Sequence, residues 1–406
     1  MVQAKFNRIV IIGGTPEIYE CAKKLDIEIL SIQKLESFNK DMARLSLKTF
    51  VFEYENLLET TKFIQAVSKL YPIDCVLTFT EDAQELAATI NETMGLPGIP
   101  SSLANLVKDK SMMRDIILDF SPVNFSLVNT VDELKEFIKK SGYPVILKPK
   151  DGVGSNGVKL IQKEEEIRGI DFTNEMLAEE FLVGKEYSVE SFSFDGNHKV
   201  FSVTEKHLFS ENEGSRFVEQ AHKVPANLTE LDRELIIDYV NGFLTSVNLM
   251  NGPAHTEIIL TNEGPRVIET HTRPGGDYIP DLVNLSYGVN LYEMTFNWFV
   301  KGRKAEINTL ENYKGSAIKF LSFKPGKVKK VVGLAKASTL KGVIRIGLAV
   351  KEGEYINTVT KSRDRSGYII AIGKDSNEAY AICEKASALL EIIYEQEKGD
   401  YNAGKV

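Results

Sequence analysis

HTEIILTNEGPRVIETHTRPGGD, residues His255 to Asp277, contains two apolar strands, a turn and a run of charged residues. Apolar and polar residues alternate on both sides of Asn262–Gly264, which is typical of a β-hairpin with a three-residue loop. In that register Thr261 pairs with Pro265. The stretch therefore predicts two antiparallel strands that carry their charged side chains on one face.

The same register places Glu257 opposite Glu269, with Cβ atoms about 5 Å apart. Opposed carboxylates repel each other unless a cation lies between them. Mg²⁺ suits such a site, because it takes one or two carboxylates and completes its shell with phosphates and water. Glu269, His271 and Arg273 share a face, since strand side chains alternate. The alternative is an amphipathic hairpin whose charged face is in water.

Composition limits what else the chain can be. Its 406 residues favour several domains, and 43% apolar with 26% charged residues is typical of a globular protein. A net charge of −8 argues against nucleic-acid binding. Three widely spaced cysteines indicate neither disulfides nor a zinc site, so we expect the protein to be in the reducing cytoplasm. We find no signal peptide and no apolar run of about 18 residues, so we expect no membrane partner.

Residues 1–105 begin with the strand NRIVIIGGT, a helical segment and the strand IEILSI, which is a βαβ pattern. The fingerprint GxGxxG is absent, so this doubly wound domain need not bind a dinucleotide. A later strand, DCVLTFTED, brings Glu81 to the carboxyl edge of the sheet, where such folds bind ligands.

A second domain, residues 106–300, begins with a helix that Thr130 and Glu133 cap. Its segment KPKDGVGSNGVKLI has Lys148 at a strand end, then a glycine-rich loop that offers backbone N–H groups to phosphate. The polar part of the loop is Ser155, Asn156 and Gly157. A strand pattern follows the loop, which predicts a hairpin and excludes a Walker loop or Rossmann turn. The alternative is a plain flexible hairpin.

MLAEEFLVGKEYSVE, Met176 to Glu190, predicts two strands around a glycine turn. Exposed backbone near Glu180, Phe181 and Leu182 can pair with an adenine edge, and Glu186 can accept hydrogen bonds from ribose hydroxyls. The alternative is a solvated strand edge.

FVEQAHKVP shows no clear periodicity, so we expect a loop over a binding site that carries Glu219 and His222. A structural histidine is the alternative. Residues 301–406 form the third predicted domain. It has the strands IKFLSF, KVKKVVG, GVIRIGLAV and SGYIIAIG and one long helix, DSNEAYAICEKASALLEIIYEQ.

Together these segments resemble the ATP-grasp superfamily of carboxylate–amine ligases. DKSMMR and YPVILKP resemble its two lysine motifs, with Lys110 and Lys148, GVGSNG resembles its lid, and EEFLVGKE resembles its adenine hinge and ribose glutamate. Glu257 and Glu269 match the metal carboxylates and Arg273 the catalytic arginine. The resemblance implies an α/β and α+β multidomain fold: a pre-ATP-grasp domain, an ATP-grasp domain and a strand-rich α+β domain.

One position departs from the pattern, because His271 stands where many members have asparagine; we expect it to contact metal or phosphate. Within the superfamily the chain resembles bacterial L-amino-acid ligases, the dipeptide synthetases of the bacilysin-ligase type. By this resemblance Glu219 and His222 lie near the amino-acid substrates, and Glu81 reaches them from the first domain. The glycines after the arginine, Gly275 and Gly276, let the backbone approach the substrate.

The resemblance predicts ATP- and Mg²⁺-dependent ligation of two L-amino acids into a dipeptide through an aminoacyl phosphate, with Mn²⁺ as an alternative metal. Asp277, four residues after Arg273, suggests a pocket for a cationic side chain such as arginine; the alternative is that it caps the next helix. Rival functions are another carboxylate–amine or carboxylate–ammonia ligase, an acyl-phosphate-forming kinase and a nucleotide-binding module without turnover. Dimers are common in this superfamily, so a homodimer is a further expectation.

Overall fold

The computed structural model describes residues 6–152, 154, 156–209, 217–302 and 314–395. The chain divides into two compact units. The large unit comprises Met1–Glu205 and Ala226–Glu311, and the small unit comprises Lys206–Pro225 and Asn312–Val406. The division into three domains, 1–105, 106–300 and 301–406, stays a prediction.

The large unit begins with a four-stranded parallel sheet of order β3-β2-β1-β4. Its elements are β1 Arg8–Ile12, α1 Pro16–Lys24, β2 Glu28–Gln33, α2 Lys40–Leu45, β3 Lys48–Val51, α3 Leu57–Leu70, β4 Cys75–Thr78, α4 Gln84–Met94 and α5 Ser101–Lys108. Alternate β1 residues enter different apolar cores, Ile9 and Ile11 in one and Val10 and Ile12 in the other. Both faces are thus buried, which confirms the doubly wound prediction.

The chain leaves β1 and β4 at the same edge of this sheet. Gly13 has a φ of 67°, and a Cβ added there would lie 2.8 Å from the Thr80 side chain. Only glycine fits this crossing, which brings the segment after β4 toward the rest of the large unit.

A second sheet of order β5-β8-β6-β7 follows. Its elements are α6 Lys110–Ile117, β5 Phe125–Val128, α7 Val131–Ser141, β6 Val145–Pro149, β7 Lys159–Ile161, a 3₁₀ turn Glu164–Ile167 and β8 Met176–Glu180. The hairpin around the glycine-rich loop is confirmed, because β6 pairs antiparallel with β7. Thr130 caps α7 as predicted, but the Glu133 carboxylate accepts from Asn129 N, so the capping box is only half formed.

The next elements are β9 Gly184–Phe194, β10 Asn197–Leu208, β11 Glu219–Val224, α8 Glu230–Ser246, β12 Gly252–Thr261, β13 Gly264–His271, α9 Ile279–Tyr287, α10 Leu291–Phe296 and a π turn Asn297–Lys301. In the large unit β13, β12, β9 and β10 lie side by side, and the pairs β13–β12, β12–β9 and β9–β10 are antiparallel. Val189, Ile258 and Val267 face a core with Phe243 of α8. The opposite face is left for polar side chains.

The small unit continues with β14 Gly315–Leu321, β15 Gly326–Val332, α11 Leu334–Ser338, β16 Val343–Leu348, β17 Tyr355–Ile356, a 3₁₀ turn Ser362–Asp364, β18 Gly367–Gly373, α12 Ser376–Ser387 and β19 Glu391–Tyr394. Strands β11, β14, β18 and β16 form one antiparallel group, and β17, β15 and β19 form another. The strand-rich α+β prediction is confirmed. No described helix is long and apolar enough to cross a membrane.

The single long C-terminal helix was a wrong prediction. Asp375 caps α12 by accepting from Glu378 N at 2.8 Å, but the helix ends at Ser387. Residues Glu391–Tyr394 pair with β15 instead. Two adjacent β-branched isoleucines in that segment favour a strand once a partner strand is present.

Candidate active site

The β12–β13 hairpin closes more tightly than predicted. Thr261 pairs with Gly264, not with Pro265, so the loop has two residues and the predicted three-residue loop is wrong. The Thr261 side chain stabilises this turn, because its hydroxyl donates to Gly264 O at 2.8 Å and accepts from Glu263 N at 3.1 Å. Side-chain bonds of this kind stabilise a short turn.

A β-bulge then restores the predicted pairing of the two glutamates. Ile258 pairs with Val267, while the next β12 residue, Glu257, pairs with Glu269, so Ile268 is the extra residue. A bulge rotates the following side chains relative to the preceding ones. The opposition of Glu257 and Glu269 is therefore confirmed, although the loop that predicted it was wrong.

Each of these carboxylates has a basic neighbour. Lys110 Nζ lies 3.2 Å from Glu269 Oε2, and His271 Nε2 lies 3.3 Å from Glu269 Oε1. His255 Nε2 lies 3.2 Å from Glu257 Oε1. Burial alone would raise the pKa of Glu269, but Lys110 and His271 hold it well below its usual range. Glu269 is thus kept ionised at neutral pH.

The donor set fits a divalent cation completed by phosphate. Among the described residues no group of three or more histidine, cysteine or acidic side chains forms a closed metal site. Two opposed carboxylates are what Mg²⁺ uses when substrate phosphates supply the remaining ligands. His271 is less clearly a ligand, because its ring lies between Glu269 and Glu81, with Nδ1 3.5 Å from Glu81 Oε1. Its assignment to the metal stays a prediction.

Lys110 is the first residue of α6, where Asp109 caps the helix by accepting from Ser111 N and Met112 N. Besides its contact with Glu269, its Nζ donates to Gly152 O at 2.7 Å. Burial would lower the pKa of Lys110, but the Glu269 and Glu81 carboxylates raise it. A charged lysine therefore connects the acidic pair to the glycine-rich loop.

Lys148 belongs to a buried ion cluster that the sequence did not reveal. Its Nζ lies 2.6 Å from Glu179 Oε2, and Arg114 Nε donates to Glu179 Oε1 at 2.7 Å. Burial would raise the pKa of Glu179, but Arg114 and Lys148 lower it to about 2. Burial, reinforced by Arg114, lowers the pKa of Lys148. The pairing of β6 with β8 places Lys148 diagonal to Glu179 on one face of the sheet. Strand alternation could have predicted this contact once that pairing was known.

The glycine-rich loop lies next to Lys110, which it contacts through the carbonyl of Gly152. Asn156 and Gly157 are exposed, and Gly157 has a φ of 80°. A Cβ at Gly152 would approach the Pro149 ring to 3.1 Å, so the loop begins with a close turn. Ser155 lies outside the described residues. The nucleotide role of these residues stays a prediction.

The predicted adenine hinge follows β8. The Glu180 carboxylate accepts from Asn124 N at 3.0 Å and from Asn124 Nδ2 at 2.8 Å. Phe181 and Leu182 are half-buried in the connection, and Glu186 lies in β9. Nothing in these contacts tests the assignment to adenine and ribose, so all four residues stay predicted nucleotide contacts.

Glu81 reaches the hairpin from the N-terminal sheet. Arg273 Nη2 donates to Glu81 Oε2 at 3.1 Å, and Arg273 Nη1 donates to Pro274 O at 3.0 Å. The neighbouring Thr272 hydroxyl donates to Gln84 Oε1 at 3.1 Å. The segments that follow β4 and β13 therefore meet, and the predicted arginine and acid contact each other directly.

The segment after Arg273 passes close to β9 and β12. A Cβ at Gly275 would lie 2.7 Å from His255 Nδ1 and 2.9 Å from Glu190 Oε1, so glycine is required there. Gly275 N donates to Glu190 Oε2 at 2.9 Å. Gly276 is exposed, and a Cβ there would meet nothing within 4 Å. Close packing thus explains Gly275 but not Gly276.

Asp277 and Tyr278 both adopt positive φ, 51° and 62°. Consecutive left-handed residues that are not glycine are strained and recur at functional sites. Tyr278, not Asp277, is the N-cap residue of α9. The substrate role of Asp277 stays a prediction.

His255 and Glu190 are site residues that sequence reasoning missed. They are register partners on β12 and β9, and His255 Nδ1 donates to Glu190. Burial would lower the pKa of His255, but Glu190 and Glu257 raise it to about 9. His255 and Glu257 are two positions apart and therefore share a face of the strand, which was a sequence signal for His255. The sequence alone contained no such signal for Glu190, because its pairing with His255 depends on the order of strands in the sheet.

Glu219 and His222 lie in the small unit, and the loop predicted for them is wrong, because both belong to β11. Three positions apart in a strand, they point to opposite faces. Glu219 Oε1 lies 3.4 Å from Lys206 Nζ, and its Oε2 accepts from Ser362 at 3.3 Å. His222 is buried with its ring edge-on to Phe320. The pairing of β11 with β14, distant in sequence, overrides the weak local pattern.

Two family matches cover much of the chain. Residues 126–277 match the ATP-grasp domain, and residues 319–395 match the L-amino acid ligase C-terminal domain 2. The fold and the site therefore define an ATP-grasp protein, an ATP-dependent carboxylate–amine ligase that uses ATP with a divalent metal ion. The match at residues 319–395 extends the likeness to the L-amino acid ligases.

Individual proteins are also similar to this chain. An uncharacterized protein, y4rH, of Sinorhizobium fredii is 24% identical over 386 residues, which cover 93% of this chain and 76% of that protein. The L-arginine-specific L-amino acid ligase of Bacillus subtilis is 21% identical over 311 residues, 72% of this chain and 73% of that protein. The structure of L-amino acid ligase from Bacillus licheniformis has a TM-score of 0.85 at 23% identity and covers 97% of this chain and 100% of that one. The predicted fold class is confirmed.

Proposed function

We propose that the protein joins the carboxylate of one L-amino acid to the amine of another in an ATP- and Mg²⁺-dependent reaction that passes through an aminoacyl phosphate. The observation that carries this proposal is the opposition of Glu257 and Glu269 across β12 and β13, with Lys110 on Glu269. This arrangement suits a metal-bound triphosphate next to a lysine.

Lys110 and Lys148 would hold the nucleotide phosphates. Each is buried and already paired with a carboxylate, Glu269 and Glu179 respectively, so its position is fixed before ATP arrives. Glu257 and Glu269 would hold Mg²⁺, which neutralises charge on the β- and γ-phosphates when bound. Mn²⁺ has similar oxygen-ligand preferences and is the alternative metal.

The first chemical step is attack of a substrate carboxylate oxygen on the γ-phosphorus, which breaks the bond to ADP and forms the acyl phosphate. Arg273 would offset the negative charge that develops on the transferred group. Its pairing with Glu81 keeps its guanidinium in place at the end of β13. In the second step the amine attacks the acyl carbon, phosphate leaves and the amine nitrogen loses a proton.

Water would hydrolyse the acyl phosphate, so the site must close before the second step. The loop between β6 and β7 suits this task, because Asn156 and Gly157 are exposed while Gly152 contacts Lys110 through its carbonyl. Because Lys110 donates to Gly152 O, closure of this loop would directly affect a lysine that we propose binds phosphate.

Arginine is the first substrate that Asp277 favours. Its carboxylate follows Gly275 and Gly276 at the end of the segment that begins with Arg273, and its backbone is strained at a φ of 51°. A carboxylate held this way can pair with a guanidinium. A similar protein is the L-arginine-specific ligase of Bacillus subtilis. Glu219 and His222 stay proposed contacts of the amino-acid substrates.

The reaction would take place in the cytoplasm, where ATP and free amino acids are present. All three cysteines are free and buried, as expected for a chain that folds in a reducing compartment.

Phosphate release measured with ATP and Mg²⁺ across all pairs of the twenty amino acids tests the proposal. Release that requires two amino acids, with a dipeptide identified by mass spectrometry, would support it. Formation of ADP and a released acyl phosphate from a single carboxylate substrate, with no dependence on a second amine and no matching release of inorganic phosphate, would indicate an acyl-phosphate-forming kinase. Release that requires ammonia or a non-amino-acid amine would indicate another carboxylate–amine ligase.

A further inference from the structure

Arg114 connects the two halves of the candidate site. It lies four residues after Lys110 on α6 and is 1% exposed. Its Nε donates to Glu179 at 2.7 Å, its Nη1 donates to Val267 O at 2.5 Å, and its Nη2 donates to Ile268 O at 3.3 Å. One guanidinium therefore binds a carboxylate of one sheet and two successive carbonyls of another.

Those two carbonyls mark the β-bulge. Had the register set by the turn continued, Glu257 would face Ile268, and Glu269 would point to the other face of the sheet. Successive carbonyls of a regular strand point to opposite sides, so only a locally bent strand presents Val267 and Ile268 to one group. The guanidinium thus binds the conformation that turns Glu269 toward Glu257.

We propose that Arg114 is a positioning residue, which fixes the bulge so that Glu269 stays opposite Glu257. This rests on the proposed function, in which those two glutamates bind the metal. Ser121 assists from the segment after α6, because its hydroxyl accepts from Val267 N at 3.2 Å. Through Glu179 the same guanidinium also fixes Lys148, so metal and phosphate ligands share one support.

The geometry requires an arginine and not merely a positive charge. Charge balance for Glu179 could come from lysine, but a lysine ammonium cannot reproduce the planar fork that spans Glu179 and both carbonyls. Loss of the fork removes the guanidinium donors from the Val267 and Ile268 carbonyls at the bulge. Arg114→Lys therefore separates a positioning role from a charge-balancing role.

The test measures ADP binding by calorimetry over a range of Mg²⁺ concentrations, together with Tm. In Arg114→Lys we expect the Mg²⁺ concentration for half-maximal binding to rise by roughly tenfold or more. ADP binding without metal should change by less than about threefold, since the charge beside Glu179 is kept. Ile117→Ala is the matched control, because the Ile117 side chain is buried in the apolar core on the same helix and has no polar group to bind the bulge carbonyls. It should lower Tm and leave the Mg²⁺ dependence unchanged.

Wild-type Mg²⁺ dependence in Arg114→Lys would overturn the positioning role. If that variant does not fold, Ser121→Ala removes the milder support of the bulge; it should shift the Mg²⁺ dependence in the same direction, and no shift would overturn the proposal. The readout needs no turnover. Wild type that binds MgADP but makes no dipeptide refutes only the proposed reaction, whereas wild type that binds no MgADP overturns both.

Discussion

Glu269 is the residue on which the site depends most, because it faces Glu257 and also binds Lys110 and His271. We predict that Glu269→Gln lowers kcat by at least roughly a hundredfold, since the neutral amide loses both the charge for the metal and the partner of Lys110. Tm should fall, since the ionised form of Glu269 stabilises the fold, but unfolding should stay cooperative. Phosphate release under saturating ATP measures the effect.

Glu263→Gln is the matched control, with the same chemical change at the exposed tip of the same hairpin. Its ion pair with Arg266 is at the surface and should contribute little. Full activity in Glu269→Gln, or an equal loss in Glu263→Gln, would contradict the metal assignment.

Asp277 gives a prediction about substrate choice. Asp277→Ala should reduce kcat/KM for arginine by roughly ten- to a hundredfold while leaving that for an uncharged first substrate within about threefold, since only the cationic side chain loses its partner. Competition between arginine and alanine, with products counted by mass spectrometry, measures this. An undiminished arginine preference would contradict the assignment.

Glu179 gives a prediction about pH. Its folded pKa of about 2 lies below the usual 4.5, so its stabilising contribution is complete above about pH 4.5 and declines as pH falls toward 2. The shift corresponds to at most about 3 kcal/mol. Glu179→Gln should therefore be less stable than wild type near pH 7, and the difference should narrow between about pH 5 and pH 3. Urea unfolding measures it; a constant difference would contradict the pKa.

Site residues with local sequence signals could be predicted, and those that depend on distant pairing could not. Glu81 and Arg273 were found separately and contact each other. Arg114, Glu179 and Glu190 were missed, because they are buried charges whose contacts depend on distant pairing: Arg114 and Glu179 are 65 residues apart in sequence, and so are Glu190 and His255. Their contacts become apparent only when the positions of β8, β9 and β13 in the folded protein are known.

At the scale of elements, the hairpin shows that a correct pairing can follow from a wrong loop. The predicted three-residue loop and the observed two-residue turn differ by one residue, and the bulge at Ile268 makes up that one residue. The strand β11 and the end of α12 were mispredicted for a common reason. Both depend on β-pairing with strands of the small unit, which local periodicity does not report.

Deletion of Ile268 tests what the bulge does. The regular register would then bring Glu257 opposite Glu269 without any bulge, so this pairing would no longer need Arg114. We predict that Arg114→Lys raises the half-saturating Mg²⁺ concentration by less in the deletion background than in wild type. A double-mutant cycle on MgADP binding measures the difference, and full additivity would contradict the link between Arg114 and the bulge.

At the scale of the molecule, the order of motifs predicted the ATP-grasp fold, which the likeness to L-amino acid ligase confirms. The site residues of the large unit come from the N-terminal sheet, α6, β6, β8, β9, the hairpin and the segments that adjoin them. Ligands that bind only the folded site should stabilise the protein. ADP with Mg²⁺ at about 100 times its Kd should contribute about 2.7 kcal/mol and raise Tm by several degrees.

Chelation of the metal should remove most of this increase in Tm. AMP is the matched control: it has no β-phosphate for the metal to neutralise, so its effect on Tm should not depend on Mg²⁺. Differential scanning fluorimetry measures all four conditions. An ADP effect that is the same with and without Mg²⁺ would contradict the carboxylate pair as a metal site.

The bulge also isolates the turn of the β12–β13 hairpin from the proposed metal site at Glu269. Because Arg114 and Ser121 hold Val267 and Ile268, strain introduced at Asn262 or Glu263 should end before it reaches Glu269. The tip is exposed, and all three native cysteines are buried. The cysteine of Glu263→Cys would therefore accept a maleimide label selectively, which makes this turn an attachment point for a fluorophore or a surface tether that leaves metal and nucleotide binding unchanged.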